Sequence, residues 1–412
     1  MAKRKSTVRR TVQGITTPRG FRAAGGTCGI KASGRPDLTL IVADEPCVAA
    51  GVFTTSRTPS APVLVGRAHL RRGKARAIIC NSGNANASTG EQGLRDAEAM
   101  CRLVAERIGC DVREVLPSST GIIGVPLPMD RIERGVEMLV PQLAVGPEAD
   151  QAAAAGIMTT DLVPKSAFRS LQLGGVTVQL AGIAKGSGMI APNMATMLAF
   201  ITTDVAISGP MLRQALRQAA QGSFNRISVD QHTSPSDTVL ALASGAAGNA
   251  TINRRGQAFD AFTAALTDLC RDLAYQIVQD GEGATKVMRV IVQNARTEKD
   301  ADRVAQAIVN SPLVKAAVHG GDPNWGRITT AAGYSGAAID PQKMSLAIGD
   351  ITVYEKGQPL KLPAATRRKL HGVMRGKEIV IRLDLGQGKA AVEWLGCDLS
   401  KQYVTINAEY TT

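Results

Sequence analysis

Apolar and polar residues alternate from Val176 to Ala184 and again from Met197 to Thr203, so both stretches read as strands. Between them runs Lys185-Gly186-Ser187-Gly188-Met189-Ile190-Ala191-Pro192-Asn193-Met194-Ala195-Thr196, a glycine-rich turn, a proline and a threonine among small or flexible apolar neighbours. Ala77–Cys80, Ser166–Leu173 and Val287–Asn294 add further strands. Helical spacing marks Glu91–Ile108, whose Leu94, Ala97, Met100, Cys101, Val104 and Ile108 share one face. It also marks Met129–Leu143, Pro147–Gly156, Pro210–Gln221, Ala258–Val278 and Asp300–Asn310. Beyond that point short strands alternate with turns, with one short helix inside Gln358–Leu370. The strand-like residues Tyr403–Thr412 close the chain, an ending that implies a docked C-terminus. No linker-like composition separates residues 14–195 from residues 196–412, so the strands flanking the Lys185–Thr196 loop are expected to share one sheet.

Composition narrows the class of protein. A chain of 412 residues with 44% hydrophobic content buries a large core and has room for two or three units. Only 3% aromatic residues beside 42 glycines argues against a stacking platform for single-stranded nucleic acid. The net charge is +13, and residues 1–36 hold no Asp or Glu. Lys3, Arg4, Lys5, Arg9 and Arg10 make residues 1–13 a basic tail, either an arm for nucleic acid or membrane or a short solvated segment. Organised sequence begins by Gly14, too early for a transit peptide. An anionic small substrate accounts for the remaining positive excess as well as nucleic acid does. The cysteines at 28, 47, 80, 101, 110, 270 and 397 form no CxxC, and there is no signal peptide or apolar run of about 18 residues. Together these features point to reduced thiols, a cytoplasmic location and no membrane span. The 4 histidines lack metal-ligand spacing, and His69 and His371 read as surface residues.

Several stretches carry candidate chemistry, each with a plainer structural alternative. A hydroxyl at the head of a strand after a tight loop is placed for self-cleavage. The Thr196 hydroxyl can attack the Ala195 carbonyl, and the freed α-amine, with a reference pKa of about 7.7–8.0, can then serve its own hydroxyl as base. The alternative is a hairpin loop with a strand-favouring threonine. In Pro117-Ser118-Ser119-Thr120-Gly121, the Thr120 hydroxyl and the Gly121 N–H are the minimum kit for an oxyanion hole, although such runs are common in turns. Asn81–Ala87 is either a ligand loop or a structural turn, and Ile157–Lys165 is a polar break that can face a pocket. Glu282, between two glycines, offers a carboxylate to an ammonium group, and Arg327 or Lys185 can hold a carboxylate. His232 with Asp230 and Asp237 invites a triad reading that sequence proximity does not support. His319 reads as a loop histidine.

Taken in order, N-S-G-N-A-N-A (81–87), S-S-T-G-I-I-G (118–124), I-M-T-T-D (157–161), K-G-S-G-M-I-A-P-N-M-A-T-M-L (185–198), D-G-E-G-A-T-K (280–286), S-P-L-V-K (311–315), D-P-N-W-G-R-I (322–328) and I-N-A-E-Y-T-T (406–412) resemble the ornithine acetyltransferase family of arginine biosynthesis. The resemblance covers nearly the whole chain. It implies an α/β (α+β) fold, a layered αββα-type sandwich similar to N-terminal-nucleophile hydrolases and a related aminopeptidase. It also implies self-cleavage between Ala195 and Thr196, giving an α chain (14–195 behind the basic tail) and a β chain (196–412), assembled as two of each. Thr196 would carry acetyl from N2-acetyl-L-ornithine to L-glutamate, with Thr120 and Gly121 on the oxyanion. Substrate would touch Thr159 or Thr160, Lys185, Thr196, Glu282, Asn407 and Thr412. The resemblance implies no cofactor, metal, nucleic acid or membrane, and leaves acetyl-CoA open as a second donor.

One run departs from the pattern S-V-D-G-D-T-S-T-N-D: Gln231-His232 stands for Gly-Asp, and Pro235-Ser236 for Thr-Asn. A changed loop or altered support around the site is the expected consequence. Two other functions compete with acetyl transfer. Water could take the acyl group, making an amidase or aminopeptidase, or the basic charge could serve nucleic-acid binding without catalysis.

Overall fold

The computed structural model describes residues 13–191 and 197–409. Its strands in the first part of the chain are β1 (Phe21–Gly26), β2 (Leu38–Phe53), β3 (Lys74–Asn84), β4 (Val115–Ile122), β5 (Lys165–Leu173), β6 (Val176–Lys185) and β7 (Leu198–Thr203). The rest are β8 (Ile227–Ser228), β9 (Thr238–Ala243), β10 (Val287–Ala295), β11 (Ser345–Ile348), β12 (Ile351–Glu355), β13 (Gln358–Pro359), β14 (Glu378–Asp384) and β15 (Ala390–Cys397). The helices are α1 (Ala61–His69), α2 (Gly90–Ile108), α3 (Met129–Leu139), α4 (Pro147–Gly156), α5 (Gly209–Gln221) and α6 (Gln257–Gln279). They continue as α7 (Glu298–Asn310), α8 (Pro312–Gly320), α9 (Trp325–Gly333), α10 (Ala364–Met374) and α11 (Lys401–Glu409).

An eight-stranded mixed sheet runs β4-β3-β2-β9-β7-β6-β5, with β1 also paired to β2. The long β2 joins its two halves: Leu38–Val42 pair with β3, the register shifts between Val42 and Cys47, and Val48–Phe53 pair with β9. Alternation along each strand separates the layers. Leu38, Leu40, Val42, Ala77 and Ile79 pack under α2 and α3, where Met100, Val104, Ile132 and Val136 are fully buried. Ala199, Ile201, Val239 and Ala241 pack under α5 and α6. The opposite faces meet in one cluster that joins Ile41, Ile78 and Leu116 to Phe200, Leu240 and Leu242, with Ala153 and Ala154 of α4. The first part of the chain is thus a mixed α/β arrangement, with helices packed against a mixed sheet.

A second sheet, β13-β12-β11-β14-β10-β15-β8, lies in the C-terminal part. In β10, Met288, Val290 and Val292 face α7 and α9, while Arg289 on the other side pairs with Glu378 and Glu393. Helix α7 begins where the Thr297 hydroxyl accepts the Asp300 N–H. Among the described residues no helix is long and apolar enough to cross a membrane.

Several sequence expectations change. The closing segment Tyr403–Glu409 is helical, within α11, because its residues bury no continuous alternating face. Among the described residues, the stretch after Asn310 holds four helices, α8 to α11, among its strands. His69 is buried, its Nδ1 bonded to the Val115 carbonyl at 2.8 Å, since α1 packs against β4. His319 ends α8 and reaches Asp398 at 2.7 Å. The strands flanking the central loop do share a sheet, with Lys185 opposite Leu198.

Two buried carboxylates pin loops to this frame. Asp37 accepts the N–H groups of Cys28 (2.7 Å), Gly29 (3.1 Å), Ile30 (2.6 Å) and Lys31 (3.0 Å). Asp161 accepts Lys165 Nζ at 2.6 Å, Gly186 N–H at 2.7 Å and Thr159 N–H at 2.9 Å. Burial would raise the Asp161 pKa, but Lys185 and Lys165 beside it outweigh that and hold the carboxyl at about 2.

Asp37→Asn places an amide NH2 where only acceptors fit and is expected to cost about 1.5–3 kcal/mol, read as a lower urea midpoint. For Asp161 the folded pKa lies below the unfolded one, so its contribution is complete above about pH 4 and is lost as pH falls toward 2. Urea midpoints taken from pH 5 down to pH 2 should fall more steeply for the wild type than for Asp161→Asn.

Candidate active site

The ends of β4 and β6, the loops after α4 and α6, and the start of α11 enclose a cavity of about 310 Å³. Thr120, Gly121, Thr159, Thr160, Lys185, Glu282 and Asn407 all line it, although they come from five separate stretches of sequence. Thr196, Ala195 and Thr412 lie outside the described residues. Leu198, two residues after Thr196, is opposite Lys185 on β6 and Thr238 on β9.

Thr120 and Gly121 sit inside strand β4 and not in a turn, because β4 pairs in parallel with β3 across an irregularity at Gly83 and Asn84. Gly121 has φ +134°, and a Cβ there would stand 2.3 Å from the Gly83 carbonyl carbon, so only glycine fits. The Thr120 hydroxyl accepts Lys185 Nζ at 3.3 Å. Lys185 is buried at the cavity wall; burial pulls its pKa below the usual lysine value, and Asp161 counters part of that shift. This places an ammonium-bearing side chain beside a hydroxyl and the Gly121 backbone, a combination suited to an anionic oxygen.

The opposite charge comes from Glu282. Its N–H bonds the Ser187 carbonyl at 2.8 Å, and its Oε2 accepts Asn407 Nδ2 at 2.9 Å. The carboxylate lies so close to Gly188 that a Cβ there would stand 2.3 Å from Oε2 and would displace the Glu282 carboxylate. Thr160 shares a hydrogen bond with Ser187 at 2.7 Å, while Thr159 enters through its N–H to Asp161. Both threonines border the cavity. The α11 helix reaches it with Tyr403 and Asn407 and is otherwise mostly exposed.

Other candidates separate. Asn81–Ala87 is a self-satisfied support: Asn81 bonds the Asn84 carbonyl and the Ser119 hydroxyl, Asn84 bonds the Val125 and Pro126 carbonyls, and Asn86 bonds Gly93. Only Ala85 of that run lines the cavity. Arg327 donates to the Leu313 carbonyl at 2.8 Å and is not in the lining, which leaves Lys185 as the carboxylate-binding candidate of the two. No cysteine lines the cavity among the described residues, and among them no cluster of His, Cys, Asp and Glu is suited to a metal ion.

Asp230, His232, Ser234, Pro235, Ser236 and Tyr403 also border the cavity, and the sequence had singled out none of them as binding residues. Asp230 accepts the N–H groups of Met189 (2.6 Å), Ile190 (2.8 Å) and His232 (3.2 Å), so its carboxylate anchors the central loop where the triad reading needs it on an imidazole. Burial raises its pKa against the effect of those amides. Burial also pushes the Tyr403 phenol up, with Asp230 and Glu282 adding to the shift. Gln231 keeps a left-handed backbone, φ +65°, a conformation that costs a non-glycine residue about 1–2 kcal/mol, and its side chain donates to the Asn310 carbonyl at 2.6 Å. That bond ties the loop carrying His232 to the end of α7.

Comparison with known proteins gives a consistent result. The ArgJ family model matches residues 22–412. The arginine biosynthesis bifunctional protein ArgJ of Symbiobacterium thermophilum is 47% identical over 401 residues, 97% of this chain and 98% of that protein. Its counterpart in Geobacter sulfurreducens is also 47% identical, over 96% of this chain and 99% of its own length. A crystal structure of the bifunctional protein from Bacillus halodurans is 40% identical with TM-score 0.50, and covers 52% of this chain and 100% of its own. With a family model spanning almost the whole sequence and full-length relatives near half identity, this chain belongs to the ArgJ family of bifunctional arginine biosynthesis proteins.

Proposed function

We propose that the chain severs its own Ala195–Thr196 peptide and that Thr196 then moves an acetyl group from N2-acetyl-L-ornithine to L-glutamate. The observation that carries this reading is the pairing, in one cavity, of an enclosed lysine with a glutamate and with the Thr120–Gly121 donor pair. Donor and acceptor both bear α-carboxylates, which suit Lys185, and ornithine's side-chain ammonium suits Glu282. In the first half-reaction the Thr196 hydroxyl attacks the acetyl carbonyl and its proton passes through the Thr196 α-amine to the departing ornithine nitrogen. The C–N bond breaks and an ester remains. In the second half-reaction the glutamate amine attacks that ester, and the hydroxyl takes back a proton. Thr120 and Gly121 serve the oxyanion in both, while Thr159, Thr160, Asn407 and Thr412 contact substrate.

Cleavage leaves residues 1–195 and 196–412 held together by the pairing of Leu180–Lys185 with Leu198–Thr203. The relative from Bacillus halodurans matches a share of this chain close to that of residues 196–412, which supports a two-piece molecule. Two pieces of each kind form the assembly, in the cytoplasm. The word bifunctional in the relatives' names supports acetyl-CoA as a second acetyl donor.

A denaturing mass measurement should find two polypeptides, residues 1–195 and 196–412, and Thr196→Ala should leave one polypeptide without turnover. A single fully active polypeptide would sink the proposal, as would acetate release from N-acetylornithine that ignores glutamate. Thr120→Ala should lower kcat by about 10²–10³-fold with little change in KM, because the lost hydrogen bond is made to the developing oxyanion.

A further inference from the structure

The most enclosed ion cluster among the described residues lies behind the cavity and forms no part of its lining. Lys165 Nζ stands 2.6 Å from both Asp161 Oδ1 and Asp280 Oδ2, with side-chain exposures of 0% for Lys165, 0% for Asp161 and 7% for Asp280. Each carboxylate belongs to a segment that carries one charged end of the cavity. Asp161 follows Thr159 and Thr160 and accepts the N–H of Gly186, the residue after Lys185. Asp280 stands two residues before Glu282 and accepts the Leu162 N–H at 3.0 Å. The segments meet a second time where the Glu282 N–H bonds the Ser187 carbonyl and Ser187 bonds Thr160. One ammonium therefore ties the strand end that presents a cation to the loop that presents an anion.

We infer that Lys165 is a positioning residue that fixes the separation of Lys185 and Glu282, and so selects among diamino acids by the number of methylenes between the α-carboxylate and the distal ammonium. The inference rests on the proposed substrate class. A buried ammonium held by two carboxylates has no alternative partner of equal strength, so its geometry is single-valued in a way that surface ion pairs are not. Discrimination by one methylene is ordinarily about 10–200-fold and needs walls that do not yield. Carboxylate and ammonium ends set on independently mobile loops would accept longer and shorter homologues alike.

The test compares ornithine with lysine and 2,4-diaminobutyrate by titration calorimetry, and their N2-acetyl forms by kcat/KM, in the whole enzyme. Wild type should favour the ornithine form at least tenfold over both homologues. Lys165→Met, which keeps the aliphatic stem and removes the charge, should bring the ratios below about threefold, mainly through KM. Asp280→Asn keeps Lys165 in place, weakens one arm, and should give intermediate ratios; it decides the matter if Lys165→Met does not fold. Folded variants that lose stability but keep the wild-type ratios overturn the inference, and so does a wild type that does not discriminate. If discrimination is found and responds to both substitutions while no acetyl is transferred, the functional reading fails and the positioning role stands.

Discussion

Everything in this molecule hangs on the antiparallel contact between β6 and β7, which brings the two sides of the central loop into adjacent positions of one sheet. Its backbone hydrogen bonds place Lys185 across from Leu198, at the edge of the cavity. Because the contact is made within the sheet, it does not depend on continuity of the chain between the strands. A loop held at both ends by such a ladder can be bent sharply without the surrounding layers moving.

Charge burial does the rest of the organising. Asp161, Lys165 and Asp280 are buried together, where each would be costly alone and where Lys165 pairs with both carboxylates. Asp230 fulfils a comparable task on the far side of the loop by accepting amides of Met189 and Ile190. Lys185, with a hydroxyl as its hydrogen-bond partner, lines the cavity.

Helices with a clear apolar stripe were legible in advance, and α2, α4, α5, α6 and α7 match the expected limits to within about two residues. The motifs carrying Thr120–Gly121, Lys185, Glu282 and Asn407 stood out in the sequence, and the structure brings these residues to one cavity. The structural role of Asn81–Ala87 was not, since small polar residues after a strand read the same whether they bond a ligand or one another. Nor was the helix α11: its lone aromatic and β-branched residues mimic a strand, and only its seat beside Gly283, whose Cβ would lie 2.5 Å from the Tyr403 nitrogen, shows why it turns there. Gln231 offered a signal in hindsight, a bulky residue where the family pattern has glycine and where the backbone is left-handed.

By itself the sequence determined the kinds of element, their order and the chemical types available to a site, because periodicity and residue chemistry are local properties. Tertiary structure alone decided that Asp161 and Asp280 share one ammonium, that Gly188 yields to Glu282, and that Arg327 stands apart while Lys185 faces the cavity. These are contacts between residues up to more than a hundred positions apart, and no local pattern encodes a distance across the fold.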